Sequence, residues 1–149
     1  MSLKRIVWLI PVLVIAAAAV VFADPGFIGV AKCKMCHKVQ FASWEQTAHA
    51  GASDRLEGAD ASNAECLACH ATGASADLAG VQCEACHGPG SDYKSLKVMK
   101  DRDSSLAAGL LLPEQSSCEG CHTGAPHDQA AFDYETAKSV GIHEFKNPG

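Results

Sequence analysis

Residues 33–37 read CKMCH, and the same arrangement of two cysteines and a histidine returns three more times along the chain. Each copy is the C-x-x-C-H signature of c-type haem attachment, in which both thiols add to haem vinyl groups and the histidine ligates the iron. Cysteines three residues apart lie on one face of a helical turn, so the pattern also sets the local fold. The sequence therefore predicts four covalently attached c-type haems. The predicted attachment residues are Cys33, Cys36 and His37; Cys66, Cys69 and His70; Cys83, Cys86 and His87; and Cys118, Cys121 and His122.

Cysteine pairs of this spacing have other interpretations, because they also form zinc sites and disulfide frameworks. Neither of these requires a histidine directly after every second cysteine. Four such coincidences would arise by chance on the order of once in a million trials. A thioredoxin-like redox motif needs one pair beside a strand, whereas this chain has four pairs with no strand pattern around them. Haem attachment is therefore the interpretation that we adopt.

The first 23 residues have the composition of a secretory signal peptide. Lys4 and Arg5 precede an apolar run from Ile6 to Val21, and Ala23 is the small residue that signal peptidase reads. We expect cleavage there, which leaves residues 24–149 as one tetrahaem domain in the periplasm or outside the cell. A retained membrane anchor is the alternative, although the apolar run is shorter than the roughly 18 residues of a spanning helix.

The rest of the chain is acidic. Ten basic and 17 acidic side chains remain after the signal segment, a formal charge of −7 before any haem is counted. This charge disfavours nucleic acids and anionic membranes as partners. It permits electrostatic steering toward a basic redox protein, and it also helps to keep the protein soluble.

The chain is too short to bury four haems inside a conventional protein core. Roughly thirty residues are available per haem, so the apolar faces of the haems must supply most of the interior. Phe41, Trp44 and Ala48 recur at helical spacing and predict a helix that continues toward Gly51. Further helices are predicted near 93–100 and 130–140. We expect a mainly α-helical, loop-rich fold with the haems forming the core and little or no β-sheet.

Counting histidines shows that the four irons differ. Seven histidines are present, and four of them belong to the motifs. His49, His127 and His143 remain as second axial ligands for four irons, so one haem is five-coordinate, water-bound or ligated by another group. Met99 is a possible fourth distal ligand, although a single methionine on an apolar helix face is more often a packing residue.

Chain geometry limits which iron each of these histidines serves. Twelve residues of helix from His37 to His49 would span about 18 Å, whereas two axial nitrogens of one iron lie about 4 Å apart. We therefore expect His49 to ligate a haem other than the one at His37. His127 lies five residues after His122, with Pro126 between them, and is also expected to reach a neighbouring haem.

The segments FIGVAKCKMCH, WEQTAHA, ECLACHATG, GVQCEACHGPGSDY and CEGCH together resemble the cytochrome c-554 family of tetrahaem electron-transfer proteins. The resemblance covers nearly all of residues 24–149 and is most specific around Cys83 and His87. It implies a mostly helical fold with closely stacked haems. It also implies three bis-histidine haems and one five-coordinate haem at the second motif, Cys66 to His70. A related group forms extracellular filaments in which a histidine of one subunit ligates a haem of the next.

These features predict an electron carrier and not an enzyme. Its expected partners are a dehydrogenase or other oxidoreductase as donor and a membrane-bound or soluble acceptor, as the resemblance implies. One alternative is a subunit of a conductive cytochrome filament, which requires self-assembly. A weaker alternative is a small-molecule reductase that uses an open haem iron at the second motif for nitric oxide or peroxide chemistry.

Overall fold

The computed structural model describes residues 25–123, 127 and 132–144 of the chain. The predicted signal peptide and its cleavage site lie outside these residues. Within them, none of the helices is long and apolar enough to cross a membrane.

Eight short α-helices follow one another along the described residues. They are α1 (Val30–Lys34), α2 (Lys38–Trp44), α3 (Ala64–His70), α4 (Cys83–His87), α5 (Leu96–Met99), α6 (Arg102–Ala107), α7 (Gln115–Glu119) and α8 (Tyr134–Val140). Four 3-10 turns lie between them, at Ala52–Arg55, Gly58–Ser62, Thr72–Ala74 and Ala76–Leu78. Ala71 forms isolated β-bridges with Ala79 and Gly80. The described residues contain no β-strand. The predicted helical, loop-rich fold is confirmed.

The helices between motifs are shorter than the sequence spacing predicted. α2 ends at Trp44, before Ala48, because the hydroxyl of Thr47 donates to the carbonyl of Trp44 at 2.7 Å and competes with the next helical hydrogen bond. The helix predicted near 93–100 is confined to α5, where the Ser95 hydroxyl accepts the amide of Val98 as an N-cap. Local side-chain hydrogen bonds therefore set these boundaries.

The polypeptide contributes a small core. Trp44, Ala52, Leu67, Ala71 and Tyr93 are the buried apolar residues among those described. Many other large apolar side chains are exposed, as expected where haem faces would cover them. These side chains are Phe27, Met35, Val39, Leu96, Leu106, Leu111, Leu112, Val140 and Ile142.

Polar contacts hold the segments around this core. The indole of Trp44 donates to the carbonyl of Val81 at 2.9 Å, which ties α2 to the segment before the third motif. The side chain of Gln82 accepts the amide of Val30 at 2.7 Å, and its backbone amide donates to the Thr72 hydroxyl at 2.8 Å. The first and third motifs are thereby brought side by side.

Candidate haem attachment and ligation site

Each C-x-x-C-H motif forms a helical turn that presents its cysteines and histidine together. The second and third motifs lie within α3 and α4. At the first motif, the amide of His37 donates to the carbonyl of Cys33 at 2.9 Å, and at the fourth the amide of His122 donates to Cys118 at the same distance. None of the eight cysteines, all of which lie in the described residues, forms a disulfide bond. The four turns thus have the local geometry that covalent haem attachment requires.

Thiols of different motifs lie next to one another and define an order of contact. Cys33 and Cys83 share a hydrogen bond, which raises the pKa of Cys33 and lowers that of Cys83. This contact joins the first motif to the third. Burial, together with a hydrogen bond to Cys69, raises the pKa of Cys121 to about 11 and joins the second motif to the fourth.

The third and fourth motifs are also neighbours. Burial raises the pKa of Cys86, and the nearby Cys118 thiolate adds to the increase. The attachment turns therefore form a continuous series in the order first, third, fourth, second, which differs from their order in the sequence.

Three motif histidines each lie opposite a histidine from elsewhere in the chain. The ring centres are 6.0 Å apart for His49 and His122, 6.0 Å for His70 and His127, and 6.1 Å for His87 and His143. Two imidazoles that ligate one metal from opposite sides have ring centres about 6 Å apart, because each metal–nitrogen bond is about 2 Å and each nitrogen lies about 1 Å from its ring centre. The residues present therefore fit three bis-histidine haems.

Backbone carbonyls orient several of these rings. The Nδ1 atom of His70 lies 2.8 Å from the carbonyl of Ala52, and that of His87 lies 3.0 Å from the carbonyl of Leu111. His143 makes the same kind of contact with Glu144 at 3.1 Å. A hydrogen bond at Nδ1 fixes the neutral tautomer and would leave Nε2 available to bind a metal.

The segment around Ala52 also holds the backbone of the second motif. The hydroxyl of Ser53 donates to the carbonyl of His70 at 2.6 Å and accepts the amide of Gly80 at 2.7 Å. At the fourth motif, the ring of Phe132 stacks on His122 with a centre distance of 4.6 Å. Contacts within the polypeptide therefore restrain the backbone of His70 and the ring of His122.

Burial also favours the neutral, ligating form of the histidines. It lowers the pKa of His49 and His87 below the usual 6.5, with smaller contributions from His122 and His143 respectively. Burial lowers the pKa of His37 in the same way, followed by the proximity of His87 and His143. A neutral imidazole carries the lone pair that a metal needs.

The structure thus brings each of the three candidate distal histidines close to one motif histidine. His49 lies by the fourth motif and not by its sequence neighbour His37. His127 lies by the second motif, which the resemblance had implied to be open. Among the described residues, which include all seven histidines, no histidine ring pairs with His37 in this way. Which irons these histidines ligate stays a prediction.

Glu84 and Gln82 are supporting residues that the sequence reasoning missed. Glu84 is only 2% exposed, and its carboxylate accepts amides from the segment before the first motif. The signal that could have found it is the acidic residue inside the CEACH motif, within the stretch 80–93 that carries the resemblance. Glu65, the acidic residue just before the second motif, is exposed.

Comparisons with known proteins find similarity to one family of cytochromes. Residues 32–88, which contain the first three motifs, match the family described as cytochrome c554 and c-prime. The fold is similar to that of reduced cytochrome c554 from Nitrosomonas europaea, with a TM-score of 0.54 and 26% identity over 80% of this chain and 79% of that chain. No protein of curated function matches the sequence.

The fold and the site define a multihaem c-type cytochrome of the electron-transfer class. Within that class, the chain is similar to the cytochrome c554 family in residues 32–88 and in its fold, which agrees with the resemblance seen in the sequence.

Proposed function

We propose that this protein carries electrons between redox partners outside the cytoplasmic membrane, through four covalently attached haems. The observation that carries the proposal is the continuous series of attachment turns, in which Cys33 contacts Cys83, Cys86 lies by Cys118, and Cys121 contacts Cys69. Thiols of adjacent turns are hydrogen-bonded in two of the three pairs and interact electrostatically in the third, so groups attached to them are held as close neighbours. An array of this kind suits electron transfer along the molecule.

The haems, when attached, supply the one-electron chemistry. The polypeptide holds the haems in place and tunes their reduction potentials. The cysteines fix each group covalently, and the paired histidines supply the axial nitrogens that help to set its potential. Carbonyls of Ala52 and Leu111 hold His70 and His87 in one tautomer and orientation.

The order in which the attachment motifs neighbour one another suggests the route of electron transfer. The first and second motifs stand at the two ends of the series, and the third and fourth lie between them. Cys36 and Cys121 are exposed, so both the first motif and the inner fourth motif approach the surface. We expect a donor and an acceptor to dock at these two different exposed motifs.

The histidine pairs support a discrete carrier over a filament subunit. Each of His49, His127 and His143 lies within 6.1 Å, ring centre to ring centre, of a motif histidine of its own chain. A filament joined by histidine ligation would instead need one of these rings to reach a neighbouring subunit. We likewise propose a carrier and not an enzyme, because the paired histidines leave few axial positions for a substrate.

Three finer expectations belong to the same proposal. The location is the periplasm or the extracellular space, consistent with the signal-like segment of residues 1–23. The donor is an oxidoreductase such as a dehydrogenase, and the acceptor is a membrane-bound or soluble carrier. The net charge of −7 after that segment favours partners with basic docking surfaces.

The test uses the mature holoprotein. Intact mass should show four haems per chain, and stopped-flow mixing with a chemical reductant and then with an oxidised acceptor cytochrome should show rapid, reversible reduction. Sedimentation at high concentration should show a monomer or small oligomer. Fewer than four haems, or steady consumption of a small substrate faster than electron exchange, would contradict the proposal.

A further inference from the structure

Of the four motif histidines, His37 differs from the other three. His70, His87 and His122 each have a second histidine with its ring centre 6.0 to 6.1 Å away. All seven histidines of the sequence lie in the described residues, and these three pairs use every histidine except His37. The chain therefore has no histidine left to close the iron of the first motif.

We propose that the haem at Cys33–His37 keeps an exchangeable axial position that takes small anionic ligands. The inference rests on the proposed function, since it requires haem at all four motifs. It departs from what the family resemblance implies, because that resemblance places the open iron at the second motif. In this chain His127 faces His70 across 6.0 Å, the separation expected of two ligands of one metal.

The second motif is also better suited than the first to hold an iron between two histidines. The Nδ1 atom of His70 is held by the carbonyl of Ala52, so its Nε2 would be available to bind a metal. The hydroxyl of Ser53 fixes the backbone of the same residue. His70 is thus oriented as a ligand, with His127 at the distance of a second ligand.

The two histidines that interact electrostatically with His37 lie close to each other. His87 and His143 both lower the pKa of His37 by their proximity, but their own rings face one another at 6.1 Å. Met99, the other side chain considered as a ligand, is at the end of α5, where the buried hydroxyl of Ser105 lies 3.9 Å from its sulfur. Met99 is therefore packed between α5 and α6.

Charge around the first motif indicates the class of ligand. Lys32, Lys34 and Lys38 are exposed on and beside α1, and residues 30–44 contain no acidic side chain. The other three motifs each carry or directly follow a glutamate. In a protein whose overall charge is negative, this positive region raises the local concentration of small anions.

The first experiment counts open irons in the oxidised wild-type holoprotein. Azide is a suitable probe because it is an anion at neutral pH and binds ferric haem. Electron paramagnetic resonance should show one high-spin and three low-spin haems, and azide should convert the single high-spin signal to low-spin. Four low-spin haems, or no response to azide, would overturn the proposal.

The second experiment locates the open iron with two matched variants, Cys33→Ala/Cys36→Ala and Cys66→Ala/Cys69→Ala. The first variant should lose both the high-spin signal and the azide response and should retain three low-spin haems. The second should keep both. The reverse result would place the open iron at the second motif and overturn the inference. If either variant fails to mature, crystals of the wild-type holoprotein soaked in azide answer the same question, since electron density shows which iron holds the anion.

The third experiment tests the ligand class. Lys32→Gln/Lys38→Gln should weaken azide binding roughly twofold to fivefold at low ionic strength, and added salt should reduce the difference. Lys94→Gln/Lys97→Gln, which lies after the third motif, is the matched control and should leave azide binding unchanged. Equal affinity in all three proteins would overturn the anionic class. A mass showing fewer than four haems would instead contradict the proposed function, so the two failures are distinguishable.

Discussion

Both carboxylate oxygens of Glu84 accept the backbone N–H of Ile28, at 2.9 and 3.0 Å. The same carboxylate accepts the amides of Gly29 at 2.7 Å and Gly90 at 2.6 Å. One buried side chain therefore ties the segment before the first motif, and the turn after the third motif, to the third attachment turn. This contact explains why the first and third motifs lie side by side.

Replacement of Glu84 should destabilise the protein. Glu84→Gln puts an amide donor where a carboxylate oxygen accepts backbone amides, so buried donors lose their partner. We expect a loss of about 2–4 kcal/mol in the free energy of unfolding, measured by denaturant titration of the holoprotein. Glu119→Gln is a matched control at the same position of the fourth motif, where the side chain is exposed and bonds only Gln115. The control should change stability by less than about 0.5 kcal/mol, and equal losses would contradict this role.

Removal of His49 should open one further haem. His49 lies 6.0 Å from His122, ring centre to ring centre, and is the predicted distal ligand of the haem at the fourth motif. His49→Ala would remove that ligand and should convert one low-spin haem to high-spin. Electron paramagnetic resonance and the absorption spectrum of the oxidised protein measure this change. Gln46→Ala, an exposed position three residues earlier, should leave the spectrum unaltered. An unchanged spin state in His49→Ala would show that another group closes this iron.

The backbone at Gly80 should not tolerate a side chain. Gly80 and Gly58 both have positive φ, 80° and 56°, so alanine is strained at either position. A Cβ at Gly80 would also collide with the carbonyl oxygen of Ala50, whereas a Cβ at Gly58 meets nothing within 4 Å. We expect Gly58→Ala to cost about 1–2 kcal/mol and Gly80→Ala about 1–3 kcal/mol more, measured by urea denaturation. Similar losses of unfolding free energy at both positions would show that the backbone near Ala50 shifts to accommodate the added Cβ.

The N-cap of α6 should make stability depend on pH. Hydrogen bonds from the hydroxyl and amide of Ser104 hold the pKa of Asp101 below its usual 3.8. The unfolded chain therefore binds this proton more readily than the folded chain, so the stabilisation is present above pH 3.8 and is lost as the pH falls through the folded pKa. Asp101→Ala should lower the urea midpoint at neutral pH, and its difference from wild type should shrink in acid. Asp103→Ala, in the same turn but not at the cap, should show a smaller difference at neutral pH, and a pH-independent deficit of Asp101→Ala would contradict the assignment.

Local sequence patterns predicted the helical turns of the motifs well, and the helices between them less well. The turn at Cys118–His122 depends only on neighbouring residues, so its form could be read directly. The end of α2 depends on the hydroxyl of Thr47, and α2 is held in place by the indole of Trp44 bonding to Val81. Spacing of apolar residues does not reveal such contacts. The helices were therefore predicted at the right positions, but the predicted helices were longer than the observed ones.

The candidate site could likewise be predicted only in part from the sequence. Counting histidines in the sequence predicted three distal ligands for four expected irons, because the number of available histidines is a property of composition. The twelve-residue interval from His37 to His49 also indicated that these two histidines serve different irons. The resemblance implied an open second motif, but spacing along the chain could not show that His127 lies beside His70.

The sequence by itself determined the number and position of the attachment turns, because cysteine spacing and the following histidine act within one turn of helix. It also predicted that one of the four expected irons lacks a second histidine. The tertiary structure decided which motifs are neighbours and which motif histidine has no partner. These relations depend on the path of the chain between motifs, which buried contacts such as Glu84 with Ile28 fix across more than fifty residues.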